Sequence, residues 1–222
     1  GAPWPNAAGH RRRMLALAGC VQPSLAPNIN AATARVFDKL GIELFEEARA
    51  GCCGAVRFQL NDHEAAKNDM RRNIDAWWPH VEAGVEAIVV TASGCGVQVR
   101  DYGHILADDT LYAEKAAKIS SLSRDPSEVL AGEKAALLPL LAARPERRGK
   151  LAFHSPCTLQ HGLQIRGSIE VLLQSAGYDL TPVADSYLCC SSAGTYSVLQ
   201  PELAGMLRAN KLAALNAGGP AL

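Results

Sequence analysis

The chain has 222 residues, of which 48% are apolar and 20% are charged, and its 22 basic residues balance its 22 acidic ones. This length allows one or two domains with a sizeable buried core, and the composition excludes a disordered or fibrous protein. A net charge of zero speaks against a nucleic-acid partner, and no apolar run reaches the roughly 18 residues that a membrane span needs.

Strands and helices are predicted to alternate along the chain. In chain order the first part contains a strand over 14–19, a helix over about 30–40, a strand over 42–46, a tight turn over 50–55, a helix over about 63–83, a strand over 87–93, and helices over about 109–121 and 126–142. The pattern restarts with a strand over 151–154, a helix over about 166–176, the apolar segment YDLTPV (178–183) and a helix over about 201–216. This alternation predicts an α/β fold with mostly parallel strands.

Seven cysteines are the most informative residues, because their number is odd and they are clustered. Two pairs are adjacent, Cys52 with Cys53 and Cys189 with Cys190. Neighbouring cysteines rarely bond each other, because the disulfide would strain the peptide between them. In a chain that does not look like a small secreted scaffold, such clustering indicates metal ligands or redox groups rather than a disulfide framework.

The cysteine spacing indicates an internal duplication. Thirty-one residues separate Cys20 from Cys52, and the same number separates Cys157 from Cys189. Transferring Cys95 to the second series places a further cysteine near position 232, beyond the last residue, so we expect a fragment whose second domain is incomplete. The predicted organisation is a linker over 1–12, a first domain over 13–125, a helical linker over 126–149 and an incomplete second domain over 150–222.

The cysteines of the first half all follow predicted strands. In an open parallel sheet the carboxyl ends of the strands form the edge where ligands bind. We expect four cysteines to meet there, namely Cys20, Cys52, Cys53 and Cys95. Four thiolates suit an iron–sulfur cluster or zinc, and the alternative is that these are buried small hydrophobic residues. The second half offers three candidate ligands, Cys157, Cys189 and Cys190, so an empty second site is an alternative there.

Several other residues have two interpretations. His154 and His161 flank Cys157, where a histidine can tune or ligate a metal or only line the site. We expect Trp77 and Trp78 to pack in the core, with contact to a quinone or a partner subunit as the alternative. We expect Arg11–Arg13 to lie at the solvated edge of the linker.

Longer strings of the sequence carry a family resemblance. They are GCVQPSLAPNINAATARVFDKLGI (19–42), AGCCGAV (50–56), NIDAWWPHVEAGVEAIVVTASGCG (73–96), LAFHSPCTLQHG (151–162) and CCSSAGTYSVLQPELA (189–204). With these strings the sequence resembles the cysteine-rich CCG domains of heterodisulfide reductase B subunits and lactate-utilisation proteins. It is most similar to the iron–sulfur subunits of glycolate oxidase (glycolate dehydrogenase), from about residue 13 to the end.

The resemblance implies an electron-transfer function with [4Fe–4S] clusters. Such subunits work with flavin-bearing subunits that oxidise glycolate to glyoxylate, and the electrons pass on to the quinone pool of the membrane. The implied location is cytoplasmic, peripheral on the cytosolic face of the inner membrane. An N-terminal ferredoxin-like domain is also implied, and its cysteine motifs do not occur in this sequence, as in a C-terminal fragment. Because the sequence shows no flavin site, we do not expect this chain alone to be catalytic.

By the same likeness, the seven cysteines are the ligands of two CCG motifs. Two departures bear on this. Gln98 stands where heterodisulfide reductases have a further cysteine, and Ser191 stands where the second turn would have glycine, so a left-handed backbone there would be strained. Zinc or an empty site are therefore alternatives to the iron–sulfur cluster. The alternative functions are a thiol–disulfide reductase of the heterodisulfide type and a scaffold that docks the flavin subunits.

Overall fold

A computed structural model of the chain describes residues 3–5, 9–143 and 148–221. The chain forms two compact units, Gly1–Val129 and Leu130–Leu222. Parts of the predicted linker over 1–12 and of the predicted helical linker over 126–149 lie outside the described residues. The domain boundaries proposed from the sequence stay a prediction.

The first unit is built on a four-stranded parallel sheet, which confirms the predicted α/β fold. Its strands are β1 (Arg12–Ala16), β2 (Ile42–Glu46), β3 (Ile88–Val89) and β4 (Ser123–Arg124), in the spatial order β2-β1-β3-β4. In the register of the sheet, Leu15 lies beside Phe45 on one side and Ile88 on the other. Because neighbouring strands are parallel, their carboxyl ends share one edge of the sheet.

Helices connect and cover these strands. They are α1 (Gln22–Leu25), α2 (Asn28–Asp38), α3 (Ala55–Gln59), α4 (His63–Glu82), α5 (Ser93–Arg100), α6 (Tyr102–Ile105), α7 (Ala113–Leu122) and α8 (Pro126–Gly132). The long helix α4 begins after Asp62, whose side chain makes no capping hydrogen bond, and it continues through Pro79. The left-handed Gly84, with φ of 87°, follows its end, since glycine takes this conformation without steric cost.

The core of the first unit lies between the sheet and helices α4 to α7. Leu15 and Ile88 from the strands pack there with Met70 and Trp77 from α4, and none of these side chains is exposed. Burial of an aliphatic side chain of this kind contributes about 1.5–3 kcal/mol to stability. The same cluster includes Cys53, so the core reaches the edge where the cysteines lie. The expectation that Trp77 and Trp78 pack in the core is confirmed for Trp77 but was wrong for Trp78, which is half-buried and donates its ring N–H to Glu82 at the surface.

Some predicted element boundaries were wrong. Strand β1 begins at Arg12, so Arg12 and Arg13 belong to the sheet rather than to a linker edge, and they pair with Glu86 and Glu43. Strand β3 is only two residues long, and helix α5 begins at Ser93, the last residue of the predicted strand. The helix predicted over 126–142 is two helices, α8 and α9 (Lys134–Ala142).

The second unit contains two short parallel strands, β5 (Lys150–Leu151) and β6 (Asp179–Leu180). Its helices after α9 are α10 (Ser168–Ser175), α11 (Tyr196–Leu199) and α12 (Pro201–Asn216), and a π-helical turn covers Thr158–Gly162. Strand β5 covers only the start of the predicted strand over 151–154. No helix in the described parts of either unit is long and apolar enough to cross a lipid bilayer.

Candidate metal centre

The first unit places its four cysteines after three neighbouring strands. Cys20 follows β1, Cys52 and Cys53 lie in the loop between β2 and α3, and Cys95 lies in the first turn of α5 after β3. Strand β1 is the neighbour of both β2 and β3, so all three segments leave the sheet at the same edge. Residues far apart in the sequence are thereby brought together.

A hydrogen bond joins two of the four thiols, and the charge of each thiol influences the ionisation of its neighbours. Cys53 donates a hydrogen bond to Cys95 Sγ over 3.1 Å. This bond is the main reason why the pKa of Cys53 is raised and the pKa of Cys95 is lowered, since it stabilises a thiolate at Cys95. Partial burial, and after it the nearby thiol of Cys52, raises the pKa of Cys20 to about 11. All four cysteines are free thiols.

The turn that carries the adjacent cysteines depends on a glycine. Gly54 has a left-handed backbone with φ of 85°, and its N–H donates to Cys52 Sγ over 3.4 Å. A Cβ atom at this position would lie 2.9 Å from the carbonyl oxygen of Ala66 in α4. Both the dihedral angle and the close approach of the helix therefore favour glycine. A backbone N–H that points at sulfur stabilises the thiolate.

Two buried side chains hold the backbone of this turn. Asn73 in α4 accepts a hydrogen bond from the N–H of Gly51 over 2.8 Å and donates to the carbonyl of Cys52 over 2.8 Å. Tyr102 in α6 donates its hydroxyl to the carbonyl of Cys53 over 3.0 Å, and Asn73 also donates to that hydroxyl. Neither side chain is exposed, and burial raises the pKa of Tyr102 well above its usual value.

Gln98 lies one helical turn after Cys95 on α5. The residue is 7% exposed, and its amide nitrogen has no hydrogen-bond partner within the described residues. Residues three apart on a helix share a face, so this donor lies on the side of α5 that carries Cys95. An unpartnered buried donor costs about 1–3 kcal/mol. The substitution noted in the sequence therefore places a buried N–H group, instead of a thiol, one helical turn after Cys95.

The second unit repeats the turn but not the thiol contacts. Ser191 is left-handed with φ of 66°, and its N–H donates to Cys189 Sγ over 3.2 Å. Its hydroxyl donates to the carbonyl of Ala204 in α12 over 2.8 Å. Cys157 and Cys189 are exposed and Cys190 is half-buried, and no hydrogen bond joins Cys157 to the pair in the portion 148–221. Within residues 148–221 the second set of thiols thus lacks a hydrogen bond of the kind that joins Cys53 to Cys95.

Two further polar groups of the second unit are buried. Both ring nitrogens of His154 are inaccessible and lack a partner among the described residues, and burial and the nearby charge of Lys211 lower its pKa. Lys211 is 5% exposed and donates to the backbone carbonyls of Asp185 and Ser186 over 3.1 and 3.3 Å. His161 is exposed and contacts Arg166.

The donor chemistry of the first unit fits a thiophilic metal. Four thiols at one edge, with an N–H group directed at one sulfur, are the ligand type that iron–sulfur clusters and zinc use. Within residues 3–5, 9–143 and 148–221, no three His, Cys, Asp or Glu side chains are already spaced around a common metal position. The thiols form hydrogen-bonded contacts instead, so metal binding would replace S–H groups and release their protons.

Sequence reasoning singled out the cysteines but missed the side chains that hold them. Asn73 lies on the apolar face of α4 with Ala66, Met70 and Trp77, all of them buried. A polar residue in that helical pattern is the signal that could have identified it. Tyr102 and Lys211 gave no such signal, because their partners are loop carbonyls that a sequence pattern does not reveal.

The parallel sheet and the left-handed turn with adjacent cysteines define a class of cysteine-rich α/β domains. Residues 14–100 and 151–222 match the cysteine-rich CCG domain, so the chain belongs to this family. The chain is 53% identical over 211 residues to the glycolate oxidase iron–sulfur subunit of Escherichia coli (strain K12), covering 95% of this chain and 51% of that protein. The resemblance to these subunits is thereby confirmed.

More distant relatives extend the comparison. The chain is 26% identical over 215 residues to the probable glycolate oxidase iron–sulfur subunit of Bacillus subtilis (strain 168), covering 96% of this chain and 47% of the relative. It is 24% identical over 185 residues to lactate utilization protein A of an Exiguobacterium species, covering 83% of this chain and 73% of the relative. The chain thus spans about half the length of the two glycolate oxidase subunits that it matches.

Proposed function

We propose that this chain is part of an electron-transferring iron–sulfur subunit of a glycolate oxidase, and that its first unit binds a cluster of the [4Fe–4S] type. The ligands would be Cys20, Cys52, Cys53 and Cys95. The observation that carries the proposal is the placement of these four cysteines after three neighbouring strands at one sheet edge, with Cys53 hydrogen-bonded to Cys95, in a chain 53% identical to such a subunit. When bound, a cluster of this kind accepts and releases single electrons.

The residues of the site prepare it for ligation. Cys95 is the favoured thiolate, because Cys53 donates a hydrogen bond to it. Gly54 directs an N–H at Cys52, which stabilises negative charge on that sulfur. Cys53 is 3% exposed, so water is excluded from the inner side of the site. The outer side is open at Cys20, which is exposed.

A second centre in the second unit belongs to the same proposal. Its candidate ligands are Cys157, Cys189 and Cys190. The left-handed turn at Ser191, with its N–H directed at Cys189 Sγ, supports it, because this turn repeats the arrangement at Gly54. The exposure of Cys157 and Cys189 favours weaker retention of metal there than in the first unit.

The proposed partners are the flavin-bearing subunits of the oxidase and, beyond them, the quinone pool. The glycolate would be oxidised to glyoxylate on the flavin subunits, and this chain would pass the electrons onward at the cytosolic face of the inner membrane. The support is the name of the relative. We do not expect this chain alone to oxidise glycolate.

A second candidate function is thiol–disulfide reduction. The 3.1 Å contact between Cys53 and Cys95, with a lowered pKa at Cys95, favours dithiol chemistry. In such a step the two thiols release two electrons and two protons and become a disulfide, and the substrate disulfide takes them up and becomes two thiols. A low-potential donor would then reduce the protein disulfide.

Anaerobic reconstitution tests the proposal. The chain would be incubated with ferrous iron and sulfide under reducing conditions, and bound iron, bound sulfide and the electron paramagnetic resonance spectrum would be measured. We expect iron and sulfide to bind, Cys53→Ser to lose the signal of the first centre, and the matched variant Cys157→Ser to retain it.

Two results would overturn the electron-transfer proposal. Absence of bound iron and sulfide in the unmodified chain would favour zinc or a scaffold that only docks partners. Steady turnover of a disulfide with a low-potential donor would favour the reductase.

A further inference from the structure

We infer that Asn73 and Lys211 are equivalent positioning residues, each of which fixes the loop that carries a pair of adjacent cysteines. The inference rests on the proposed metal-binding function of those cysteines. It goes beyond the ligands themselves, because it assigns a role to two side chains that contact no thiol directly.

The two residues occupy the same register of corresponding helices. In the first unit the turn residue Gly54 abuts the carbonyl of Ala66, and in the second unit Ser191 bonds to the carbonyl of Ala204. These carbonyls mark equivalent points on α4 and α12. A buried polar side chain lies seven residues after this point in each helix. Seven residues are about two helical turns, so the side chain lies on the same face of the helix. The two side chains are Asn73 in α4 and Lys211 in α12.

In the first unit Asn73 holds the backbone on both sides of Cys52. Asn73 accepts from the N–H of Gly51 and donates to the carbonyl of Cys52, each over 2.8 Å, so one amide closes a ring with the turn backbone. Tyr102 supports the same amide and donates to the carbonyl of Cys53 over 3.0 Å. The backbone on either side of the peptide between the two cysteines is therefore fixed from the core.

In the second unit Lys211 holds the loop that precedes Cys189 and Cys190. Lys211 donates to the carbonyls of Asp185 and Ser186. Asp185 has φ of 48°, a left-handed conformation that aspartate adopts more readily than most residues other than glycine. No carboxylate pairs with Lys211 in the described part of the chain, so these carbonyls compensate part of the cost of burying its charge. The lysine thereby fixes two carbonyls of the loop that leads to Cys189.

The consequence for metal binding follows from how ligands are oriented. A residue that fixes the backbone of a ligand loop sets the direction of its thiols, and loss of such outer contacts typically weakens metal affinity by about 10- to 100-fold. Asn73 therefore controls the affinity of the first centre, and Lys211 controls the reactivity of Cys189 and Cys190. Both are positioning residues, since neither donates to a sulfur.

Asn73→Leu and Phe37→Leu form a matched pair for the first unit. Both change a fully buried residue, but Phe37 lies on α2, outside the core cluster that contains Cys53. The full chain would be titrated with Zn²⁺ against a chelator and, separately, reconstituted with iron and sulfide. We expect Asn73→Leu to weaken Zn²⁺ binding about 10- to 100-fold and to change the spectrum of the iron centre. Tyr102→Phe should have smaller effects on both, and Phe37→Leu should leave both the Zn²⁺ affinity and the spectrum unchanged.

A metal-free measurement separates this inference from the proposed function. Alkylation of Cys53 in the apo chain would be followed by mass spectrometry, and we expect Asn73→Leu to accelerate it because the turn is released from the core. For the second unit, Lys211→Met should accelerate alkylation of Cys189 and Cys190, and Lys211→Arg, which retains N–H donors, should restore the slower rate.

The outcomes are distinguishable. If the unmodified chain binds no metal, the proposed function fails, and the alkylation rates still decide the positioning role. Unchanged alkylation of Cys53 in Asn73→Leu, or an equal change in Phe37→Leu, would refute the role of Asn73. Equal rates in Lys211→Met and the parent would refute the role of Lys211.

Discussion

Gly54 and Ser191 take the same left-handed backbone conformation, and each donates its N–H to the sulfur two residues before it. They differ in how they meet the following helix. Gly54 leaves no room for a Cβ atom, whereas the hydroxyl of Ser191 forms a hydrogen bond with the helix carbonyl. The strain expected from a serine in this conformation is therefore offset by a buried hydrogen bond that glycine cannot make.

Ser191→Ala should destabilise the second unit, and Ser191→Gly should leave its stability nearly unchanged. Alanine keeps the left-handed strain of about 1–2 kcal/mol and loses a hydrogen bond of about 1 kcal/mol, whereas glycine loses the bond but relieves the strain. Chemical denaturation with a probe of the second unit measures the difference. Equal stability of the alanine variant and the parent would contradict the assignment.

Gly54→Ala should be more destabilising than Gly84→Ala, although both glycines have nearly the same φ, 85° and 87°. The added Cβ meets the carbonyl oxygen of Ala66 at 2.9 Å in the first case and open space in the second. We expect a loss of about 2–4 kcal/mol at Gly54 and about 1–2 kcal/mol at Gly84. Thermal unfolding of the two variants tests which one loses more stability. Similar losses of stability would show that the close contact with Ala66 is unimportant.

Alkylation of Cys20 in the metal-free chain should depend on pH in an unusual range. Partial burial and the contact with Cys52 raise the pKa of Cys20 from 9.0 to about 11, so near neutral pH about 100-fold less thiolate is available than for an unperturbed thiol. The rate should still be rising above pH 10. In Cys52→Ala the profile should move towards lower pH. A profile that levels off near pH 9 in the parent would contradict the contact.

Gln98→Met should stabilise the metal-free chain by about 1–3 kcal/mol, because it removes a buried donor that has no partner in the described residues. If the amide donates to a metal-bound sulfur, the same change should lower the stability gained on metal loading. The free energy of unfolding, measured with and without bound metal, tests both the expected stabilisation of the metal-free variant and its smaller gain on metal loading. Lower stability of the metal-free variant would show that the amide nitrogen already has a partner.

The sequence alone predicted the strand–helix alternation, and its cysteine spacing identified the duplicated turns. It misplaced the start of α5, because AIVVTAS reads as a continuous strand, whereas Ser93 already begins the helix that carries Cys95. It also could not reveal that Asn73 and Tyr102 hold the backbone of the turn that carries Cys52 and Cys53. The hydrogen bonds of Asn73 and Tyr102 join residues 21 to 49 positions apart, and only the folded core brings such groups together.

The uneven exposure of the four thiols gives the first centre an inside and an outside. Cys53 is sealed within the core, whereas Cys20 faces solvent. Iron bound by these residues would lie between a sulfur enclosed by the core and a sulfur open to solvent. The proposed centre would therefore meet water and oxidants from the side of Cys20.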